Sequence, residues 1–234
     1  MHKLNISPEI TARLRSWRER DHLFEDLDPT RTAHVVIDLQ NGFMAPGALV
    51  EIATAREIVP NVNRISAALR DAGGTNIFVR WSILEKDHAD WSTWFGKFAH
   101  ADRSTAMKET FSEGVEGNKL WSGLDIRPED PIVDKGRFSA FIPGTSRLPE
   151  VLEARGVDTL IITGTATNVC CESTARDAMQ MNYQVIFVAD ATAAASDVEH
   201  NSALDNLAMF ADIMTTDEII SVLRSAAVTQ KAAE

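Results

Sequence analysis

Cysteine is scarce: the 234 residues hold two, and they are neighbours, Cys170 and Cys171. Adjacent cysteines cannot staple distant parts of a fold, which excludes a disulfide framework. With no CxxC pair and no Cys/His cluster, a structural zinc site is not expected either. Long apolar runs are missing as well, and no stretch approaches the roughly 20 residues of a membrane-spanning helix. The start, Met1-His2-Lys3-Leu4-Asn5-Ile6-Ser7, lacks the apolar core of a signal peptide. Runs of Lys and Arg are absent and the net charge is −11, so neither nucleic acid nor an anionic membrane is an expected partner. There is no internal repeat, no low-complexity segment and no boundary for a second domain. What remains is a cytoplasmic protein of one domain spanning 1–234, with an N-terminal helical extension over about the first 30 residues.

The hydrophobic fraction, 44%, suffices for one sizeable core. Ser7 to His22 reads as an amphipathic helix, with Ile10, Leu14 and Trp17 at helical spacing and Ser7-Pro8 as its start. It precedes the first strand and is an appendage, suited to packing on a partner subunit. Val35 to Ile37 is a short apolar strand of the buried parallel type. Glu57 to Ala72 is a helix closed by Gly73-Gly74, and Asn76 to Trp81 is the second strand. From Ser82 to Arg127 the period lapses while Trp91, Trp94, Phe95, Phe98, Phe111 and Trp121 accumulate. Such an excursion suits a lid or a subunit interface better than a linker.

Asp130 to Lys135 is the third strand, Pro149 to Arg155 a helix, and Val157 to Thr163 the fourth strand. Glu172 to Met181 is a helix, Gln184 to Asp190 a strand, Glu199 to Phe210 a helix, Asp212 to Met214 an edge strand and Thr216 to Ala227 the last helix. This alternation implies an α/β fold: a doubly wound, mostly parallel sheet with helices on both faces.

In such sheets ligands bind beyond the carboxyl ends of the strands. Asp38 ends the first strand, Lys135 the third, and Cys170 sits where the fourth hands over to a helix. Taken singly, Asp38 reads as a loop-capping carboxylate, Lys135 as a solvated charge and Cys170 as a small buried hydrophobe. Together they make a nucleophile set: a thiol, an ammonium to favour its ionisation and a carboxylate to take its proton. A helix N-terminus beside Cys170 also favours the thiolate, so a low-pKa thiol is expected.

Three motifs carry a resemblance: Val36-Ile37-Asp38-Leu39-Gln40-Asn41, Val133-Asp134-Lys135-Gly136-Arg137-Phe138-Ser139-Ala140-Phe141 and Gly164-Thr165-Ala166-Thr167-Asn168-Val169-Cys170. With the helix start Glu172 to Ala178 they run in the order found in isochorismatase-like cysteine hydrolases, over roughly residues 30 to 225. That family includes nicotinamidases, N-carbamoylsarcosine amidase, ureidoacrylate amidohydrolase and biuret hydrolase. The resemblance implies the three-layer fold, an Asp-Lys-Cys triad at Asp38, Lys135 and Cys170, and a cis peptide at Thr165–Ala166. It further implies an oxyanion hole from the N–H groups of Ala166 and Cys170, and amide hydrolysis through a thioester. Cys171 stands where the family usually has valine and reads as a buried hydrophobe.

Nicotinamidases of this fold carry an Asp-x-His pair and a further His after the second strand. Here Asp87 and His88 are adjacent and the pattern is missing, so neither a metal nor another cofactor is expected. Cys170 argues against a true isochorismatase, which lacks the nucleophilic cysteine. The wording is nearest the ureide- and carbamoyl-cleaving branch, whose substrate is a small amide or carbamoyl compound. Candidate substrate contacts are Arg80, for a carboxylate or else paired internally, an apolar wall of Phe43, Trp81 and Phe138, and Asn168. A homo-oligomer, dimer to tetramer, is expected from the N-terminal helix and the aromatic excursion. The competing readings are a catalytically idle scaffold of the same fold and, last, a redox-sensing thiol.

Overall fold

Thr32–Ile37 forms strand β1, and all six of its residues are buried. A strand covered on both faces needs a layer on each side, and the alternating pattern supplies them. The structure is a computed structural model describing residues 1–84 and 89–233, the last five as backbone only. The remaining strands are β2 (Thr75–Trp81), β3 (Ile132–Lys135), β4 (Thr159–Thr165), β5 (Gln184–Ala193) and β6 (Asp212–Met214). They join β1 in one six-stranded sheet of order β3-β2-β1-β4-β5-β6, with every pairing parallel. This is the doubly wound arrangement, with its switch point where β2 and β4 flank β1.

The helices, in chain order, are α1 (Pro8–Arg18), α2 (Asn41–Met44), α3 (Ala55–Asp71), α4 (Ala101–Phe111), α5 (Leu148–Glu153), α6 (Glu172–Gln180), α7 (Asp197–Leu207) and α8 (Thr216–Ala233). Alternation along the strands sorts the core into two layers. Val36, Phe78, Ile161 and Ile186 pack with α3 and α8. Val35, Ile37, Ile77, Leu160, Ile162 and Phe187 pack with α5, α6 and α7. His34 is buried between β1, α3 and β4, with Ser66 Oγ 3.1 Å from one ring nitrogen and Thr163 Oγ1 2.8 Å from the other. Among the described residues no helix is long and apolar enough to cross a membrane.

Several boundaries differ from expectation, three of them with a visible local cause. α1 stops at Arg18 because Glu19 turns left-handed, φ 57°. β3 begins at Ile132, after Pro131, which has no N–H to give a ladder. β5 runs on to Ala193, because its register slips: Ile162 pairs with Phe187, but Gly164 pairs with Thr192. The slip brings the end of β5 beside Gly164 (φ 120°), where an added Cβ would lie 2.0 Å from the Ile37 carbonyl oxygen. Only glycine lets β4 pass β1 that closely.

The N-terminal segment packs on its own chain. Asn5 N–H donates to Asn201 Oδ1 (2.6 Å), Asn201 donates back to the Lys3 carbonyl (3.0 Å), and Ser7 N–H donates to Asp205 (2.7 Å). Leu14 is buried and Arg18 donates to the Ala208 carbonyl. The stretch expected to reach a partner thus straps α7.

Candidate active site

Asp38 follows β1 directly in the left-handed region (φ 54°), while its N–H still donates to the Val79 carbonyl at 2.9 Å. The backbone therefore turns its side chain across the sheet edge without leaving β2. Lys135 ends β3, paired in register with Trp81. Its ammonium donates to Asp38 Oδ2 at 2.8 Å and to the Arg137 carbonyl at 3.1 Å. Both side chains are fully buried, and a buried charge is tolerable only when paired and hydrogen-bonded in this way. Cys170, 4% exposed, lies in a wide helical turn, Thr167–Cys171, between β4 and α6. Its thiol interacts with both the carboxylate and the ammonium. Asp38 Oδ1 has no hydrogen-bond partner among the described residues.

Burial dominates the electrostatics. It pushes the Asp38 carboxyl up, against the opposing pull of Lys135 and the Cys170 hydrogen bond. For Lys135, burial alone would favour the neutral amine, but the Asp38 carboxylate and then Cys170 outweigh it, so the ammonium is held charged. Cys170 is raised far above the usual thiol range by burial and by the negative Asp38, which together exceed the help from Lys135. The expectation of a low-pKa thiolate meets an opposing effect: enclosure favours the protonated thiol. The cause is burial: Cys170 is enclosed in the turn ahead of α6 rather than exposed at an open helix N-terminus.

The turn that carries Cys170 is fixed from behind. The Thr165–Ala166 peptide is cis, and the N–H groups of Val169 and Cys171 both donate to the Ala166 carbonyl, at 3.1 and 3.2 Å. The Thr165 hydroxyl donates to the Ala193 carbonyl (3.0 Å), and Thr167 Oγ1 is hydrogen-bonded to His200 Nδ1 (2.9 Å). Asn168 is half-buried in the same turn. Cys171 is fully buried in the apolar layer under α6 and α7.

An aromatic cluster adjoins the site through Trp81, which pairs in register with Lys135. Phe43 packs on Phe111 (4.7 Å between centroids), Phe111 on Trp81 (5.0 Å), and Trp81 on Phe138 (6.1 Å). Phe138 in turn meets the edges of Trp91 (4.8 Å) and Trp94 (5.0 Å). The irregular segment thus packs its rings on Trp81 and Phe138 of its own chain. The indole N–H groups of Trp81 and Trp94 are buried without a hydrogen-bond partner among the described residues.

Arg80 is not brought to the pocket: Nε and Nη2 each lie 2.9 Å from the Asp134 carboxylate, a bidentate pair across β2 and β3. Of the two readings of Arg80, the structure shows the internal pair rather than a side chain free for a substrate carboxylate, because the register places Asp134 directly opposite. Two residues not singled out from the sequence brace the backbone at Trp81 and Phe111. Buried Gln40 donates to the carbonyls of Trp81 (3.0 Å) and Asn118 (2.9 Å) and accepts the Trp81 N–H (2.7 Å). Asn118 donates to the carbonyls of Trp81 (3.1 Å) and Phe111 (3.3 Å). Gln40 carried one signal, its place two residues after Asp38; Asn118 carried none. Asp87 and His88, on which the expectation about metal ligands turned, lie outside the described residues. Among the described residues no group of three or more His, Cys, Asp and Glu is placed to hold a metal ion.

The family model described as an isochorismatase domain matches residues 32–218. A ureidoacrylate amidohydrolase, RutB, of Pseudomonas savastanoi pv. phaseolicola is 32% identical over 197 residues, covering 79% of this chain and 80% of the relative. An Arabidopsis thaliana protein named as a probable inactive nicotinamidase is 35% identical over 173 residues, covering 73% of this chain and 85% of the relative. Among solved structures, a cysteine hydrolase from Pseudomonas syringae pv. phaseolicola superposes with a TM-score of 0.78 at 30% identity, covering 88% of this chain and 99% of that one.

Proposed function

The chain belongs to the isochorismatase family, and from that premise we propose that it is a cysteine amidohydrolase. Its reaction cleaves the C–N bond of a small amide, ureide or N-carbamoyl compound. The observation that carries this reading is the buried Asp38–Lys135 pair in contact with the Cys170 thiol. The amidohydrolase relatives support the same reaction class.

The chemistry follows from the protonation states. Cys170 starts as a thiol, so attack on the carbonyl carbon is coupled to transfer of its proton to Asp38, a carboxylate made more basic by burial. Lys135 stays charged and stabilises the carboxylate and the sulfur while negative charge moves between them. The N–H groups of Ala166 and Cys170 receive the tetrahedral oxyanion. Collapse expels the amine or ammonia with the proton held by Asp38. Water, deprotonated by Asp38, then hydrolyses the thioester and returns the thiol. No step calls for a metal.

Substrate reaches the closed site only when its cover shifts. Phe43, Trp81 and Phe138 form the apolar wall, and Asn168 is a contact from the nucleophile turn. The unpartnered indole N–H groups of Trp81 and Trp94 offer donors for a carbonyl or carboxylate oxygen at the far end of the substrate, the part Arg80 does not play. Self-association as a dimer to tetramer remains part of the proposal, and light scattering reads it directly.

The idle-scaffold reading has one observation in its favour, the Arabidopsis relative whose name calls it inactive. Release of ammonia or amine separates the two. The panel is ureidoacrylate, N-carbamoylsarcosine, biuret, maleamate, nicotinamide and an aryl amide, each with and without chelator. Turnover of a ureide or carbamoyl compound that survives chelation supports the proposal. Silence across the panel, with nothing acylating Cys170, overturns it.

A further inference from the structure

The nucleophile turn leans on the segment between β5 and α7. Thr165 and Thr167, on either side of Ala166, are held by the Ala193 carbonyl and by His200. What holds that segment in turn is a residue at the opposite end of the chain. His2, with a side chain only 4% exposed, accepts the Ala194 N–H at Nε2 (3.0 Å) and binds Asp197 Oδ1 through Nδ1 (2.7 Å). These partners assign one tautomer, with the proton on Nδ1 donated to the carboxylate. The same ring stacks on His200, with centroids 4.3 Å apart and planes 18° apart.

We propose that His2 is a positioning residue for the Cys170 turn, acting through His200 and Thr167; the proposal rests on the reading of Cys170 as nucleophile. Three features support it. His2 clamps both ends of the Ala194–Asp197 bend, so the two threonine partners, Ala193 just before the bend and His200 just after it, keep a fixed separation. His200 Nε2 is buried without a hydrogen-bond partner among the described residues, with the Ala189 backbone near the ring, and the stack on His2 covers one face of it. The rest of the N-terminal strap, Lys3, Asn5 and Ser7 on α7, fixes where His2 can lie. His2 lies outside residues 32–218, so this support is an addition to the family domain.

The test is hydrogen exchange read by mass spectrometry, with steady-state kinetics beside it. In His2→Ala, segment 164–171 should exchange roughly threefold or more faster than in the unsubstituted protein, with segment 75–81 unchanged. The kcat should fall roughly tenfold at constant KM, the signature of a displaced turn rather than a lost substrate contact. Thr167→Val keeps the shape and cuts the link to His200; it should quicken exchange in the same segment. Combined with His2→Ala it should add little, because the two substitutions break one chain of contacts. Millimolar imidazole should slow the exchange of His2→Ala again by refilling the site. Unchanged exchange at 164–171 in His2→Ala, or a double variant whose effect is the product of the two singles, overturns the proposal. Faster exchange alongside an unsubstituted protein that hydrolyses nothing would uphold His2 and remove the amidase reading.

Discussion

The floor and the cover of the pocket are built by different means. The floor is Asp38, Lys135 and the Thr167–Cys171 turn, held by strand ends, an ion pair and directed hydrogen bonds. The cover is a stack of rings running from Phe43 through Phe138 to Trp94, held by apolar contact. Directed bonds fix positions, as transfer of a proton between Cys170 and Asp38 demands. Ring contacts are less directional and can shift, as entry to a closed site demands. On the proposed reading, chemistry belongs to the floor and selection to the cover.

Substitutions in the two regions should therefore fail differently. Cys170→Ala should lower kcat by about three orders of magnitude or more while the fold persists; near-normal turnover would detach the reaction from the floor. Lys135→Met should cost about 3–5 kcal/mol in a urea titration at neutral pH, because it leaves the Asp38 carboxylate buried and unpaired. Asp38 should set the acid limb of kcat/KM. Its pKa is raised by burial, so the base is ionised only above an ordinary carboxylate's range, and activity falls roughly tenfold per pH unit below that point. Phe138→Ala, in the cover, should raise KM about tenfold with a smaller change in kcat. Arg80→Ala should leave KM unchanged and cost at most about 1 kcal/mol of stability, being a half-buried pair at the sheet edge. An effect of Arg80→Ala on KM alone would return it to the substrate.

The floor was the legible part of the sequence, because β-branched runs mark buried strands and parallel strands end on one side. That placed Asp38, Lys135 and Cys170 together without any knowledge of side-chain packing. What depends on register or burial was not legible. Arg80 and Lys135 both come near the ends of strands, yet Arg80 faces Asp134 and Lys135 reaches Asp38. A one-residue shift would exchange such neighbours. The upward push on the Cys170 thiol comes from its enclosure, which no local pattern encodes. The extension of β5 past Asp190 depended on a register slip against β4. His2 meets Ala194 and Asp197 across almost the whole chain, a contact with no trace in periodicity.

The central claim is that Cys170 attacks the substrate carbonyl, and trapping the acyl-enzyme tests it most directly. The preferred amide is mixed with the protein, quenched in acid within a turnover and digested for peptide mass. The account predicts an acyl or carbamoyl thioester on Cys170, absent from Cys170→Ala and unaffected by chelator. Turnover that proceeds with Cys170 unmodified, or that persists in Cys170→Ala, would contradict it.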